Sequence, residues 1–474
     1  MQAALLVAVI ALALWSTNAG DIGLIATVAL ACIQFLRRNV LPVWTQKALA
    51  VVALSLALDA VLAAALLARP MPLLEPLWHP VLLPVLQPFV IAVSLALLSP
   101  LDALLKCRVM ERAARLRANT DAVVIGIAGS VGKTTTKELL AHILRSPDPA
   151  SRIPNVIATP EHVNTEMGVA QWLLREWTAG SEQRTATKLP ADHLIAIVEM
   201  GAYRLGEVAT LCRIAKPQIG IVTTLGRDHL GLFGSIDAIR EANAELLRAL
   251  PKGGRAILVA DDAAFPLLRA AALCPVTAVG TVADADLRAD DIREDAGGLS
   301  FIVQGTPMRL PLHGKHNVLN ALLAIGAARH LGRSLAEIAD RLRSFAGMAH
   351  TFSMRTERGC TVLDDTYNCS PESFRAAVEW AKSRPERDRI LLTSGIMELG
   401  VREESILREL GETSRGVFGR IVFTSDAGAD AFAVGCGQPV ELLSAASAPV
   451  LSGSLLVCLG RMPLSSISRL LPLP

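Results

Sequence analysis

Clustered cysteine is missing from this chain: it has eight cysteines, and no two of them form a Cys-x-x-Cys pair. Zinc sites and disulfide frameworks depend on closely spaced cysteines, so the scatter argues against both and fits a reducing compartment. A charge excess is missing too, because 46 basic and 44 acidic residues leave a formal net charge of +2. This balance predicts no nucleic acid or other polyanionic partner.

Charged residues are also scarce at the N-terminal end, where the first hundred positions hold only seven. Apolar runs of this kind predict membrane-spanning helices, and they lie at residues 3–15, 22–36, 48–68 and 81–98. We therefore predict a transmembrane region of three or four helices at residues 1–104. A cleaved signal peptide is the alternative for residues 1–20, but this segment has no basic region at its start.

Basic residues flank the predicted helices and predict their orientation. Arg37, Arg38 and Lys47 fall in one connection, and a second basic stretch at 105–120 follows the last apolar run. Positive residues beside membrane helices concentrate on the cytoplasmic side. We therefore predict a multi-pass protein of the inner (cytoplasmic) membrane. In this prediction the lipid bilayer is a partner, residues 105–120 are a basic juxtamembrane linker, and the soluble domains face the cytoplasm.

The segment 126–137 reads Gly-Ile-Ala-Gly-Ser-Val-Gly-Lys-Thr-Thr-Thr-Lys, between a strand pattern and a helix pattern. This is the context of a phosphate-binding P-loop, in which backbone N–H groups and the helix N-terminus face an anion. Lys133 adds a full positive charge, and Thr134 is placed to hold Mg²⁺. A purely structural glycine turn is the alternative, and the flanking strand and helix argue against it. The predicted nucleotide-binding residues of the loop are Gly129, Ser130, Gly132, Lys133, Thr134 and Thr135.

Beyond residue 120, short apolar runs alternate with helical patterns. The main predicted strands lie at 122–127, 193–199, 219–224 and 256–259, and the predicted helices at 235–249, 317–331 and 334–345. Such alternation is typical of a doubly wound, mostly parallel sheet that binds its ligand at the carboxyl edge of the strands. The predicted fold class is therefore α/β: N-terminal transmembrane helices, a P-loop sheet domain at 121–347 and a smaller C-terminal α/β domain at 348–474, with a hinge at 347–350.

Two residues at the ends of predicted strands are expected to lie near the phosphate loop. Glu199 ends the strand at 193–199, and His229 follows the strand at 219–224. Alone, either residue is more often a structural group at a sheet edge. Their convergence with Thr134 on one edge favours a site for a hard cation, which prefers oxygen ligands. We predict Thr134, Glu199 and His229 as metal ligands, and Lys133, Glu199 and His229 as catalytic residues.

Seven ordered segments resemble the Mur ligase family, ATP-dependent enzymes that join an amino acid or peptide to a carboxylate through an acyl phosphate. The likeness covers about residues 124–400. The sequences Asp364-Asp-Thr-Tyr-Asn and Glu398-Leu-Gly most resemble those of the family branch that adds a D-alanyl-D-alanine dipeptide. The seven segments begin at Gly129, Thr159, Glu199, Asp228, Gly314, Asp364 and Met397.

The resemblance implies ATP and Mg²⁺ as cofactors, and it implies further site residues by position. Asn317 and Asn320 would lie at the adenine pocket, and Asn164 would border the γ-phosphate and the acceptor substrate. From the C-terminal domain, Arg355 with Asp364 or Asp365 would reach toward the phosphates and the ribose.

The implied activity is that of a membrane-anchored ATP-dependent carbon–nitrogen ligase, which forms an amide bond through an acyl phosphate. Its substrate would be a small-molecule, peptide or nucleotide-sugar precursor of the cell envelope, similar to those of peptidoglycan synthesis. Proteins of envelope synthesis would be further partners.

The chain departs from the family pattern at three places. Asn243 stands where the family has a lysine that becomes carbamylated to support a second Mg²⁺, and an amide cannot form that carbamate. Either one metal or a differently held second metal serves catalysis, or catalysis is lost. The family's UDP-gripping N-terminal domain has no recognisable counterpart, and residues 457–463 do not match the Lys-Gly-Ser of the dipeptide ligases. A catalytically degenerate nucleotide-binding scaffold and a polyglutamate-type ligase therefore stay open as alternatives.

Overall fold

The computed structural model describes residues 45–67, 78–145, 155–187, 194–227, 230–295, 297–367, 369–396, 399–444 and 447–472. The chain divides into two units, Met1–Arg108 and Val109–Pro474. The described part of the first unit is helical, with α1 (Gln46–Leu67) and the greater part of α2 (Trp78–Ala118). Lys47 and Asp102 join these two helices through an ion pair of 2.7 Å.

The prediction of three or four transmembrane helices is not supported. Its apolar runs at 3–15 and 22–36 lie outside the described residues. Within the described ranges, one helical segment, Leu86–Ala118, is long and apolar enough to cross a bilayer. A single helix of this kind is weak support for a membrane span, since a signal sequence or the core helix of another kind of protein meets the same criteria. The predicted linker at 105–120 is helical as far as Ala118.

The second unit contains two sheets, and the first of them has nine strands. These strands are β1 (Val123–Ala128), β2 (Asn155–Ala158), β3 (Leu194–Glu199), β4 (Ile219–Val222), β5 (Arg255–Val259), β6 (Val276–Gly280), β7 (Leu287–Asp295), β8 (Gly298–Val303) and β9 (Thr306–Leu310). Their spatial order is β2-β3-β1-β4-β5-β6-β7-β8-β9. Pairing is parallel from β2 to β7 and antiparallel from β7 to β9. The predicted mostly parallel, doubly wound sheet is therefore confirmed.

Helices cover both faces of this sheet, because alternate residues of its buried strands face opposite sides. Ile125 of β1 packs into one core and Val124 into the other. The helix predicted at 334–345 begins with a capping box between Ser334 and Glu337. The helices are α3 (Lys133–Leu144), α4 (Glu166–Thr187), α5 (Glu207–Ala215), α6 (Leu230–Phe233), α7 (Ile236–Ala249), α8 (Phe265–Ala271), α9 (His316–His330) and α10 (Leu335–Arg343).

The second sheet has six strands in the order β10-β11-β15-β12-β13-β14, of which only β10 is antiparallel to its neighbour. Its helices include α11, which begins after the Ser370 cap. The strands are β10 (Ser353–Glu357), β11 (Cys360–Asp365), β12 (Arg389–Thr393), β13 (Arg420–Phe423), β14 (Glu441–Leu442) and β15 (Leu455–Leu459). The helices are α11 (Pro371–Lys382), α12 (Glu403–Ser414), α13 (Ala429–Cys436) and α14 (Leu464–Leu470).

Arg117 joins the end of α2 to the first sheet. Its buried guanidinium donates to four backbone carbonyl groups, those of Thr120 (2.7 Å), Ala215 (2.9 Å), Ala122 (3.0 Å) and Lys216 (3.3 Å). Buried carbonyl groups need donors, and this one side chain satisfies several of them at once. Part of the basic stretch therefore has a structural role in the folded domain.

Replacing Arg117 by methionine should lower the free energy of unfolding by about 3 kcal/mol, because several buried carbonyl groups lose their donors. Arg115→Met is the matched control, since Arg115 is 81% exposed and pairs with Glu111 on its own helix. We expect that variant to lose less than about 0.5 kcal/mol. Denaturant unfolding of the full chain measures both values, and equal losses would contradict this role of Arg117.

The connection between the two sheets is fixed by Asp364, which is completely buried in β11. Asp364 accepts hydrogen bonds from Arg355 Nη1 (2.6 Å) and Thr366 Oγ1 (2.7 Å), and its Oδ2 lies 2.8 Å from His350 Nδ1. His350 belongs to the predicted hinge and has a left-handed φ of 59°. Burial would raise the pKa of Asp364, but the hydrogen bonds from Thr366, Arg355 and His350 outweigh it and lower the pKa.

Asp364→Asn should lower the free energy of unfolding by about 3 kcal/mol at pH 7, because Arg355 loses its buried charged partner. A lowered folded-state pKa means that the stabilisation is present above the unfolded value of about 3.9 and is lost as the pH falls through the folded value. The difference between the variant and the parent should therefore shrink on acidification. Denaturant unfolding across this pH range measures it.

Asp365→Asn is the matched control, because burial raises the pKa of the neighbouring Asp365. An ionised Asp365 is already unfavourable in the folded state, so its neutral replacement should cost less than Asp364→Asn at pH 7. A loss that is the same at every pH for Asp364→Asn would contradict the proposed charge network.

Candidate functional site

The loop between β1 and α3 requires glycine at two positions. Gly129 and Gly132 have φ values of 131° and 89°. A Cβ atom at Gly129 would collide with Thr223 at the end of β4, and one at Gly132 would collide with Asn320 of α9. These glycines therefore allow the loop to lie closely against both neighbours, as a phosphate-binding loop does.

Lys133 and Thr134 begin helix α3 and carry the functional groups of the loop. Lys133 Nζ donates to the carbonyl groups of Gly129 (2.6 Å) and Ser130 (2.8 Å). Thr134 Oγ1 lies 3.1 Å from both carboxylate oxygens of Glu199, the last residue of β3. The two meet because β1 and β3 are parallel neighbours whose carboxyl ends share one edge. The structure thus brings together Thr134 and Glu199, two of the three residues predicted to converge at this edge.

Further groups surround the carboxylate of Glu199. Asn164 Nδ2 lies 3.4 Å from Oε1, while its place beside the γ-phosphate and the acceptor stays a prediction. Lys137 Nζ lies 3.2 Å from Oε2 and donates to the carbonyl of Thr159 at 2.8 Å. Lys137 was not predicted as a site residue, although it is the last residue of the segment 126–137. The signal was its place one turn after Lys133 on α3, where the loop motif itself requires no second lysine.

The phosphate loop, Asn164 and Glu199 line one cavity of about 330 Å³, with walls from both sheets of the second unit. Asn243 lines it as well. The predicted site residues on its surface are Gly129, Ser130, Gly132, Lys133, Thr134, Thr135, Asn164, Glu199, Asn317, Asn320 and Asp365.

Three predicted residues are not seen at the cavity. His229 lies outside the described residues, so its role as a metal ligand stays a prediction. Arg355 and Asp364 bind each other at 2.6 Å, and neither is among the residues that line the cavity. Their predicted contact with phosphates or ribose therefore also stays a prediction.

The start of α9 forms the side of the cavity where adenine is predicted to bind. Asn320 Nδ2 donates to Asn317 Oδ1 at 2.9 Å, and Asn317 Nδ2 donates to the carbonyl of His313 at 2.8 Å. His316 also lines the cavity, and burial lowers its pKa to about 4, so the imidazole is neutral at pH 7. Its Nδ1 is buried and has no hydrogen-bond partner among the residues described.

Tyr367 and His162 face each other across the cavity from the two sheets. Their rings stack with centroids 5.0 Å apart, and Tyr367 Oη lies 3.2 Å from His162 Nδ1. Burial, followed by the charge of Glu199, raises the pKa of Tyr367. Both residues lie inside segments that resemble the family, yet they were not singled out. Arg461 follows β15 and lines the same wall, and no pattern in the sequence pointed to it.

Asn243 presents a neutral amide to the cavity. It is 6% exposed, and its Nδ2 donates to the carbonyl of Ile239, one turn earlier in α7, at 2.7 Å. Across the described ranges, no group of three or more His, Cys, Asp or Glu side chains could hold a metal ion by itself. A cation here would therefore need oxygen from Thr134 or from the nucleotide in addition to Glu199.

The residues present fit a nucleotide triphosphate with Mg²⁺. The glycine cradle and the N-terminus of α3 suit phosphate oxygens, and Lys133 supplies a positive charge. Thr134 and Glu199 offer the hydroxyl and carboxylate oxygens that a hard cation prefers. Thr223 Oγ1, which lies against Gly129, is buried without a hydrogen-bond partner in the described part of the chain. Thr223 does not itself line the cavity, so the fit to the nucleotide rests on the glycine cradle, Lys133, Thr134 and Glu199.

Comparison with known proteins places this site in a family. Residues 127–328 match the Mur ligase middle domain. The UDP-N-acetylmuramoyl-tripeptide–D-alanyl-D-alanine ligase of Synechocystis is 33% identical over 338 residues, which cover 70% of this chain and 68% of the relative. The ligase of that name from Bacillus subtilis is 30% identical, over 61% of this chain and 59% of the relative. The chain thus spans less than two thirds of the second relative.

Solved structures show the same likeness. A crystal structure of MurF from Acinetobacter baumannii superposes with a TM-score of 0.66 and 26% sequence identity, over 77% of this chain and 80% of that one. The predicted resemblance, including the likeness to the branch that adds D-alanyl-D-alanine, is confirmed.

The predicted multi-pass location in the inner membrane is wrong. In the described part of the chain one helix is long and apolar enough to cross a bilayer, where three or four were expected. Three of the matched relatives are named as ligases of a UDP-N-acetylmuramoyl-tripeptide, and these names refer to no membrane. No finding supports the lipid bilayer as a partner, and envelope-synthesis proteins stay an untested prediction.

The glycine cradle and the oxygen atoms of Thr134 and Glu199 form a site for a nucleotide with Mg²⁺. The similarity to the Synechocystis ligase, over 68% of that relative, leads to the same family. The chain belongs to the Mur ligase family, ATP-dependent ligases that form amide bonds with ATP and Mg²⁺ as cofactors.

Proposed function

We propose that the protein joins the amine of a D-alanyl-D-alanine-type dipeptide to a carboxylate of a UDP-muramoyl-type peptide, in the synthesis of a peptidoglycan precursor. The observation that carries this proposal is the contact of Thr134 with Glu199 above the phosphate loop, in a cavity shared with the second sheet. The names of the two relatives described above support the choice of substrates. The scaffold and polyglutamate alternatives have no comparable support.

The reaction couples two transfers. A carboxylate oxygen of the acceptor bonds to the γ-phosphorus of ATP, the bond to ADP breaks, and an acyl phosphate results. The amine nitrogen then bonds to the acyl carbon, phosphate leaves, and the amine gives up one proton. Both steps develop charge on oxygen atoms, so preorganised cations and N–H donors accelerate them.

The phosphate loop and its neighbours would hold the nucleotide. The glycine cradle binds the phosphates, and Lys133 offsets their negative charge. Thr134 and Glu199, with His229 as the predicted third ligand, would hold Mg²⁺, which supplies positive charge to the phosphate oxygens during transfer. Asn164 lies beside Glu199 and would orient the acceptor carboxylate next to the γ-phosphate.

The second sheet would close the site. Asp365 and Tyr367 line the cavity opposite the phosphate loop, and Tyr367 contacts His162 of the first sheet. Closure of this wall excludes water, which would otherwise hydrolyse an acyl phosphate. Arg355 and Asp364 would act in this closure by fixing the connection between the sheets rather than by binding phosphate in the observed arrangement.

Lys133→Ala should lower the rate of substrate-dependent ADP release by about a hundredfold or more, because the charge that develops on the phosphate oxygens loses its fixed cation. The assay uses purified protein with ATP, Mg²⁺, UDP-muramoyl-tripeptide and D-alanyl-D-alanine, and it follows ADP and phosphate.

Lys252→Ala is the matched control, since Lys252 is exposed and does not line the cavity. We expect it to keep full activity. ATP binding without turnover under every substrate combination would contradict the ligase and favour the nucleotide-binding scaffold.

We expect the ligase activity to be independent of carbon dioxide, because the amide of Asn243 cannot be carbamylated. Turnover should be unchanged when bicarbonate is removed by degassing or added in excess. Adding bicarbonate to Asn243→Ala serves as the control for a nonspecific salt effect. If turnover of the parent chain requires bicarbonate, this prediction is wrong, and a lysine at some other position carries a carbamate.

A further inference from the structure

Lys137 is an unusually placed lysine. Its side chain is completely buried, and it is one of the largest side chains with no exposed surface among the described residues. Its Nζ lies 2.8 Å from the carbonyl of Thr159, 3.2 Å from Glu199 Oε2 and 3.3 Å from Glu138 Oε1. Burying an ammonium group is costly unless charged partners compensate it, so this position calls for a specific reason.

The two lysines at the start of α3 face different groups. Lys133 is the first residue of the helix, and Lys137 lies one turn later. A phosphate ligand accounts for Lys133, which lies in the loop. Lys137 Nζ instead contacts Glu199, Glu138 and the carbonyl of Thr159, and Lys137 does not line the cavity.

The contacts of Lys137 connect it to the carboxylate that ends β3. Thr159 accepts a hydrogen bond from Lys137 through its carbonyl, and its Oγ1 accepts from the backbone N–H of Glu199 at 3.0 Å. Glu199 Oε2 faces the ammonium, while Oε1 faces Asn164. The side chain of Glu199 is therefore held from behind, with Thr134 in front of both oxygens.

We propose that Lys137 is a positioning residue for the metal site, which holds the Glu199 carboxylate in the orientation that binds Mg²⁺ together with Thr134. This inference rests on the proposed function, in which Glu199 is a metal ligand. Side chains that hydrogen-bond to a metal ligand fix the orientation and charge of that ligand. Their removal typically lowers metal affinity by about tenfold or more. Glu138 shares the ammonium, but it is 32% exposed and does not line the cavity.

The test measures nucleotide binding rather than turnover. A fluorescent, non-hydrolysable ATP analogue is titrated into the full chain at increasing Mg²⁺ concentrations and also in EDTA. Lys137→Met should raise the Mg²⁺ concentration for half-maximal binding by about tenfold and leave binding in EDTA unchanged. A merely structural role would instead weaken binding equally in both conditions.

Two further variants control this test. Glu138→Gln removes the second carboxylate beside the Lys137 ammonium. We expect this variant to need the same Mg²⁺ concentration for half-maximal binding as the parent chain. Lys137→Met combined with Glu199→Gln should need no more Mg²⁺ than Glu199→Gln alone, because Lys137 acts through Glu199. The double variant removes both buried charges, so it stays informative if Lys137→Met alone fails to fold.

The outcomes separate the two proposals. An unchanged Mg²⁺ requirement in Lys137→Met, or an additive loss in the double variant, would overturn the role of Lys137 and leave the metal site intact. If Mg²⁺ has no effect on binding in the parent chain, the proposed metal site is wrong, and the role of Lys137 is overturned with it.

Discussion

The carboxylate of Glu199 is the group on which the rest of the site depends. Its position is set by the parallel pairing of β1 with β3, which brings the end of one strand beside the loop that follows the other. Thr134 then meets it from α3, and Lys137 meets it from behind. A shift of one residue in the register of β3 would turn this side chain to the opposite face of the sheet, and the hydroxyl and carboxylate would no longer meet.

The part of the fold that follows simple patterns could be predicted from the sequence. The buried parallel strands around residues 122–127 and 193–199 are short apolar runs, and the Ser334 capping box marks a helix start. The antiparallel strands β7 to β9 were missed, because β7 carries mostly charged residues and alternates buried with exposed positions. Strand β2 has only four residues and depends on pairing with β3, which no local pattern reveals.

The site was predictable where the chemistry lies within one motif. The glycines, Lys133 and Thr134 are adjacent in sequence, and Glu199 is marked by its place at a strand end. Lys137 and the facing pair of His162 and Tyr367 owe their roles to tertiary contacts between distant segments. The prediction of three or four transmembrane helices failed for a different reason, because hydropathy alone does not distinguish a membrane span from other apolar helices.

We propose that Thr134 and Glu199 bind one metal ion together with a nucleotide on the glycine loop. Anomalous diffraction from crystals grown with Mn²⁺ and a non-hydrolysable ATP analogue locates that ion. We expect a metal peak about 2.1 Å from Thr134 Oγ1 and from a Glu199 oxygen, with phosphate density over the loop. A metal peak away from both side chains, or a nucleotide bound elsewhere, would contradict it.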